Sequence, residues 1–116
     1  MRNDRPNLIV DKTFQFSLKI MDFAEELQEQ RKYVFANQLL KSGTSIGANV
    51  REAQNAESKA DFIHKMKIAA KEADETEYWL TLCSLNNNYP DNSELLLEIE
   101  EIIRILSKII SSSKNG

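Results

Sequence analysis

Residues 58–85, SKADFIHKMKIAAKEADETEYWLTLCSL, decide the fold class of this chain. Apolar and small side chains recur there every three or four positions, the spacing that places them on one face of an α-helix. These positions are Phe62, Met66, Ala69, Ala73, Thr76, Leu80 and Cys83. Ser58, followed three residues later by Asp61, is typical of a helix N-cap with an acid in the first turn. The pattern therefore predicts a long amphipathic helix over residues 59–85.

The same periodicity predicts three more helices, over about residues 10–30, 33–56 and 94–111. Their expected core positions are Thr13, Phe16, Ile20, Phe23, Ala24 and Leu27, then Phe35, Leu39, Gly43, Ile46 and Val50, then Leu95, Ile99, Ile102, Ile103, Leu106 and Ile110. The serine-rich end after residue 111 is expected to fray. Short connections favour antiparallel neighbours, so we predict one all-α domain over residues 1–116, an up-down-up-down four-helix bundle.

Residues 42–47, SGTSIG, combine glycines and hydroxyls inside the second predicted helix. Gly43 and Gly47 each cost a helix interior roughly 1 kcal/mol relative to alanine. Their presence predicts that another backbone approaches closely at this point. The segment is not a phosphate-binding loop, because no strand precedes it and no Lys-Ser/Thr pair follows.

A second apolar stripe indicates self-association. On the first helix Phe14, Leu18 and Met21 lie roughly opposite the core stripe, and a second group lies off the core stripe of the third helix. The predicted interface residues are Phe14, Leu18, Met21, Ile68, Glu75, Trp79 and Leu82. Grouped aromatic and large apolar side chains outside a core mark association surfaces. The alternative is an irregular bundle whose loops cover them. Glu75 would then be a solvated rim residue, whereas in an interface it needs a partner such as Arg51, Lys65 or a neighbour's helix N-terminus.

Charge is distributed unevenly along the chain, although the net charge is only −3. Residues 31–71 carry eight basic and three acidic side chains, whereas residues 72–103 carry nine acids and no lysine or arginine. Such asymmetry bears on partners rather than on fold. A basic stripe on helices two and three predicts nucleic-acid contact through Arg51, Lys59, Lys67 and Lys71. The alternative is ordinary solubilising lysine, which the acidic pI of about 5.2 favours.

Several other classes of protein find little support in the sequence. The single Cys83 excludes an internal disulfide, and no stretch resembles a signal peptide or approaches a membrane span, so we expect a cytoplasmic protein. The lone His64 has no partner at metal-ligand spacing.

Glu72-x-x-Glu75 and Glu98-x-x-Glu101 leave open a remote alternative, a Mg²⁺- or Mn²⁺-dependent all-α nucleotide pyrophosphohydrolase. Helical phase places these carboxylates away from the core, so we expect no metal, no cofactor and no enzymatic activity.

Three segments in helices two and three resemble a known bacterial family. They are SIGANVREA at 45–53, SKADFI at 58–63 and AAKEADETEYWL at 69–80. The order and spacing of these motifs resemble the S23-like four-helix-bundle proteins encoded in 23S rRNA intervening sequences. Arg51 and Ala53 depart from the small residue and glycine that the family has beside its glutamate, so the end of helix two is expected to be straighter.

The resemblance implies a bundle that assembles into a ring, a pentamer. A protein of similar shape, the accessory factor of diversity-generating retroelements, binds nucleic acid and a reverse transcriptase. Our leading hypothesis is a non-enzymatic oligomeric scaffold that contacts RNA or a ribonucleoprotein through the basic surface of helices two and three. The alternative is a protein–protein interaction module that does not bind nucleic acid.

Overall fold

The computed structural model describes residues 7–115, and every regular element in this range is helical. The four helices are α1 (Leu8–Glu29), α2 (Tyr33–Ala53), α3 (Lys59–Leu85) and α4 (Ser93–Asn115). Each helix contacts the next along the chain, and α4 returns to contact α1. The result is an elongated body of 46 × 22 × 21 Å. The predicted all-α four-helix bundle is confirmed; residues 1–6 and Gly116 of the predicted domain lie outside the described range.

Contacts between helices show that neighbours run antiparallel, because a residue late in one helix meets a residue early in the next. The pairs are Ile20–Gly43 and Thr13–Gly47 between α1 and α2, Ser42–Thr76 and Glu52–Lys65 between α2 and α3, Leu80–Asn92 between α3 and α4, and Lys19–Glu94 and Lys12–Glu101 between α1 and α4. Both described ends of the chain, at residues 7 and 115, therefore lie at the same end of the bundle.

The core is formed by the stripes that helical periodicity predicts. The predicted positions of α1 are all buried, and in the other helices only Phe35, Phe62, Ile103 and Ile110 are half-buried, at the edge of the core. A buried hydroxyl contact joins α2 and α3, where Thr76 Oγ1 lies 2.9 Å from Ser42 Oγ and 2.8 Å from the Glu72 carbonyl oxygen. A buried hydroxyl without a partner destabilises the fold, so this contact explains how two polar residues occupy core positions.

Helix ends follow local hydrogen bonds that periodicity does not reveal. Ser58 caps α3 as predicted, its hydroxyl accepting from the Asp61 N–H at 3.0 Å. The prediction that α2 extends to residue 56 is wrong. After Ala53 the α-helical hydrogen bonds give way to three successive bonds from an N–H to the carbonyl three residues earlier, the last of them from Ala56 to Ala53. The turns that these bonds close bring the backbone to the extended conformation of Ser58.

The last helix is longer than predicted. It continues to Asn115, so the predicted end at Ser111 is wrong. No glycine or proline interrupts residues 111–115, and Lys114 in the last turn interacts favourably with the helix dipole. Within residues 7–115, no helix combines the length and apolar character that crossing a membrane requires.

Candidate functional site

Exposed apolar side chains run along α1 beside its seam with α2. Phe14, Leu18 and Met21, which we call the α1 stripe, are 54%, 44% and 51% exposed, respectively. They lie where the sequence predicts an interface, and no loop of the described chain covers them, which removes the alternative of loop burial for these three residues. Water in contact with this much clustered apolar surface is unfavourable, so the stripe favours a binding partner.

A hollow of about 200 Å³ opens next to Phe14 between α1 and α2. Its lining residues, which define the α1–α2 hollow, are Val10, Phe14, Ser17, Gly47, Ala48 and Arg51. Gly47 has the close backbone approach that its sequence predicts: a Cβ there would lie 3.3 Å from both Ser17 Oγ and the Thr13 carbonyl oxygen. The small floor formed by Gly47 and Ala48 is what makes the surface concave.

A second group lies on α3, where Trp79 packs against Phe35 of α2. It contains Ile68, Glu75, Trp79 and Leu82, which we call the α3 stripe. Ile68 and Trp79 are half-buried, Leu82 is 37% exposed, and Glu75 is exposed. This surface therefore combines a partly exposed indole, an aliphatic side chain and a carboxylate.

Trp79 is held in place by its own chain. Its ring packs edge-to-face against Phe35 of α2 at 5.5 Å and against Tyr78 at 5.3 Å. The indole N–H lies 3.5 Å from a carboxylate oxygen of Glu75, one turn earlier on the helix. An aromatic side chain fixed in this way is preorganised for binding, because little rotamer freedom is lost on association.

Each of these two surfaces carries one charged residue, Arg51 in the α1–α2 hollow and Glu75 in the α3 stripe. Among residues 7–115, neither Arg51 nor Glu75 forms an ion pair. Lys65, one of the predicted partners of Glu75, instead binds Glu52 at 3.2 Å. Arg51 faces α1 across the hollow, whereas Glu75 lies beside Trp79, which packs on the other side of α2.

The four predicted phosphate-contacting residues do not form one continuous patch. Arg51 faces α1, whereas Lys67 lies near Lys114 of α4, and repulsion from the Lys114 ammonium lowers the pKa of Lys67. Lys71 is exposed one turn after Lys67, and Lys59 is the first residue of α3. The structure thus adds Lys114 to the group that contains Lys67 and Lys71. The sequence did not predict this member, because the approach of Lys114 to Lys67 depends on how α3 and α4 pair.

The glutamate pairs that suggested a metal enzyme do not converge. Glu98 and Glu101 lie along the α1–α4 seam, where they bind Lys19 at 2.9 Å and Lys12 at 2.6 Å. The hydrogen bond from Lys12 lowers the pKa of Glu101. The other pair lies on α3 towards α2. Within the described range, no three His, Cys, Asp or Glu side chains are arranged to hold a metal ion.

Cys83 is a core residue rather than an exposed nucleophile. It is 1% exposed, and burial raises the pKa of its thiol to about 11, against a smaller opposing effect from Lys32. The thiol therefore stays protonated near neutral pH, and the protonated form is a poor nucleophile.

Comparisons with known proteins place the chain in a family. Residues 5–108 match the family model of the 23S rRNA-intervening sequence protein, and the chain belongs to that family. A crystal structure of a protein with unknown function, from the S23 ribosomal protein family of Bacteroides thetaiotaomicron VPI-5482, is similar to it. The two chains are 43% identical in sequence, and their structures superpose with a TM-score of 0.83. The match covers 88% of this chain and 97% of the Bacteroides chain. No curated protein matches the sequence.

Proposed function

We propose that this protein is a non-enzymatic, cytoplasmic homo-oligomer, a pentameric ring by resemblance to its family, that serves as a scaffold on RNA or a ribonucleoprotein. The observation that carries self-association is the exposed α1 stripe, Phe14, Leu18 and Met21. Side chains of this size, grouped on one helix beside a concave surface, match the aromatic and methionine enrichment of protein interfaces.

RNA contact is supported by the lysines of α3 and α4. Lys67 and Lys114 present positive charge towards the end of the bundle where α3 begins and α4 ends. Lys59 lies at the start of α3, and Lys71 lies one turn after Lys67, near the middle of the helix. The lowered pKa of Lys67 reflects repulsion between neighbouring ammonium groups, and a phosphate group placed between them would relieve it. Such lysines position a phosphate backbone and do not read bases. The family description refers to an intervening sequence of 23S rRNA, which makes an RNA partner a reasonable first target.

Self-association is tested by size-exclusion chromatography with light scattering and absorbance at 260 and 280 nm. We expect a mass several times 13.3 kDa, five times for a pentamer. Excess absorbance at 260 nm would reveal nucleic acid that copurifies. A monomer across the accessible concentration range would contradict the proposed assembly.

RNA binding is tested by fluorescence anisotropy with a labelled RNA hairpin in a series of KCl concentrations. We expect affinity to fall with salt and to be lost in Lys67→Glu/Lys71→Glu, because binding of phosphates by lysine releases counterions. Arg31→Glu/Lys41→Glu makes the same change in net charge with two exposed residues outside the lysine group, so it should retain binding. Unchanged binding in the lysine variant would contradict the assignment. The absence of any salt-dependent binding would favour the protein–protein interaction module instead.

A further inference from the structure

The α1–α2 hollow and the α3 stripe are complementary in shape and charge. The hollow is concave, with a floor of Gly47 and Ala48, and Arg51 is the only charged residue among those that line it. The α3 stripe presents Trp79 and Leu82, and Glu75 is its only charged residue. One surface thus offers space and a guanidinium group, and the other offers side chains of suitable size and a carboxylate.

These two surfaces cannot meet within one chain. Arg51 and the hollow face the α1 side of α2, whereas Trp79 packs on Phe35 at the α3 side. A copy that used the same surface twice would oppose like charges, Arg51 to Arg51 for hollow on hollow and Glu75 to Glu75 for stripe on stripe. Desolvating an unpaired charge is strongly unfavourable, so self-pairing of either surface is disfavoured.

We infer that the hollow of one copy receives the α3 stripe of a second copy, with Trp79 and Leu82 over the Gly47–Ala48 floor and the Glu75 carboxylate on Arg51. This inference rests on the proposed self-association and specifies how it occurs. Because the two surfaces are different, the contact is heterologous, and repeating it closes a ring or extends a chain of copies. Arg51 then binds protein rather than phosphate.

Two blocking variants test the pairing, and both alter exposed positions so that the fold is preserved. Ala48→Trp fills the hollow, and Leu82→Glu places a charge on the α3 stripe. Each variant alone should be a monomer of about 13.3 kDa by light scattering. Their equimolar mixture should form a dimer of twice that mass, because each retains the surface that the other has lost.

The outcomes separate this inference from the proposed function. If wild-type protein assembles but either variant alone keeps the wild-type mass, or if the mixture stays monomeric, the pairing is wrong although the oligomer stands. If wild-type protein is a monomer, self-association itself fails, and this inference fails with it. Circular dichroism on each variant checks that helical content is unchanged.

The ion pair is tested separately by exchanging its charges. Arg51→Glu and Glu75→Arg should each abolish assembly, and the double variant should regain the wild-type mass because the attraction is restored in reverse. Lys108→Glu, an exposed basic-to-acidic change on α4 outside both surfaces, is the matched control and should assemble normally. Failure of the double variant to assemble, or assembly of both single variants, would overturn the Arg51–Glu75 contact.

Discussion

Arg31 follows the end of α1 in a backbone conformation that residues other than glycine rarely adopt. Its φ is 64°, in the left-handed region, while the Arg31 N–H donates to the Gln28 carbonyl at 2.9 Å and the Lys32 N–H to the Leu27 carbonyl at 2.8 Å. These two bonds form a Schellman motif, in which glycine is the usual residue at the left-handed position. The hydrogen bonds satisfy helix carbonyls, so they stabilise the turn in spite of the strained dihedral angle.

We predict that Arg31→Gly raises the free energy of unfolding by about 0.5–1 kcal/mol, because relief of left-handed strain exceeds the added entropy of the unfolded chain. Urea denaturation at one fixed protein concentration measures the change. Arg31→Ala removes the same charge but keeps a Cβ, so it should give no comparable gain. Equal stabilisation by alanine would show that charge, and not the dihedral angle, matters at this position.

At the scale of the helices, the α1–α2 seam depends on Gly43. A Cβ at this position would lie 2.9 Å from both Ile20 Cγ1 and Cγ2, and Ile20 is fully buried and β-branched, so it has little room to move. Gly43→Ala should therefore lower the free energy of unfolding by about 1–2 kcal/mol, although alanine is the better helix former. Chemical denaturation measures this loss.

Ile20→Ala provides the control, because it removes the two γ carbons at 2.9 Å and leaves only the Ile20 Cβ, at 3.3 Å from the new Cβ. In that background Gly43→Ala should cost much less, which a double-mutant cycle detects as coupling. If the losses of unfolding free energy in the two single variants simply add in the double variant, the α1–α2 seam accommodates the new Cβ by moving other atoms. The glycine would then not be required for contact with Ile20.

Periodicity predicted the helices and their buried faces well, because an apolar stripe is a local property of the sequence. It missed the ends of α2 and α4, which depend on a tightened turn after Ala53 and on the absence of a breaker before residue 116. It also missed the contact of Phe35 with Trp79 at 5.5 Å. That contact depends on how α2 and α3 are rotated about their axes, and side-chain spacing along one helix carries no information about it.

At the scale of the whole molecule, the bundle separates one group of lysines from one group of acids, although charges of both signs occur at both ends. Lys59, Lys67 and Lys114 lie towards one end, whereas a second cleft near the opposite end is lined by Lys19 and four acidic residues. The acidic residues are Asp22, Glu26, Asp91 and Glu94. The sequence predicted the acidic and basic segments, but each segment runs along the bundle, so the antiparallel topology separates them only in part. The sequence could not predict that Arg51 and the α3 lysines face different neighbours.

Self-association through exposed apolar stripes predicts that thermal stability depends on protein concentration. Binding of folded copies to one another stabilises the folded state by mass action, so Tm should rise over about a hundredfold increase in concentration. Scanning calorimetry measures this shift. Phe14→Glu, at an exposed position, should remove most of the dependence. A Tm that is independent of concentration in the wild type would contradict association in this range.

The antiparallel pairing of α1 with α4 has a practical consequence for protein engineering. Residues 7 and 115 lie at one end of the bundle, the end that also holds Lys114. A purification tag or fluorescent fusion at either terminus would therefore crowd the lysines, and in a ring all such fusions would project from the same rim. The asparagine-rich loop between α3 and α4, residues 86–92, lies at the far end and is the better insertion point for a reporter.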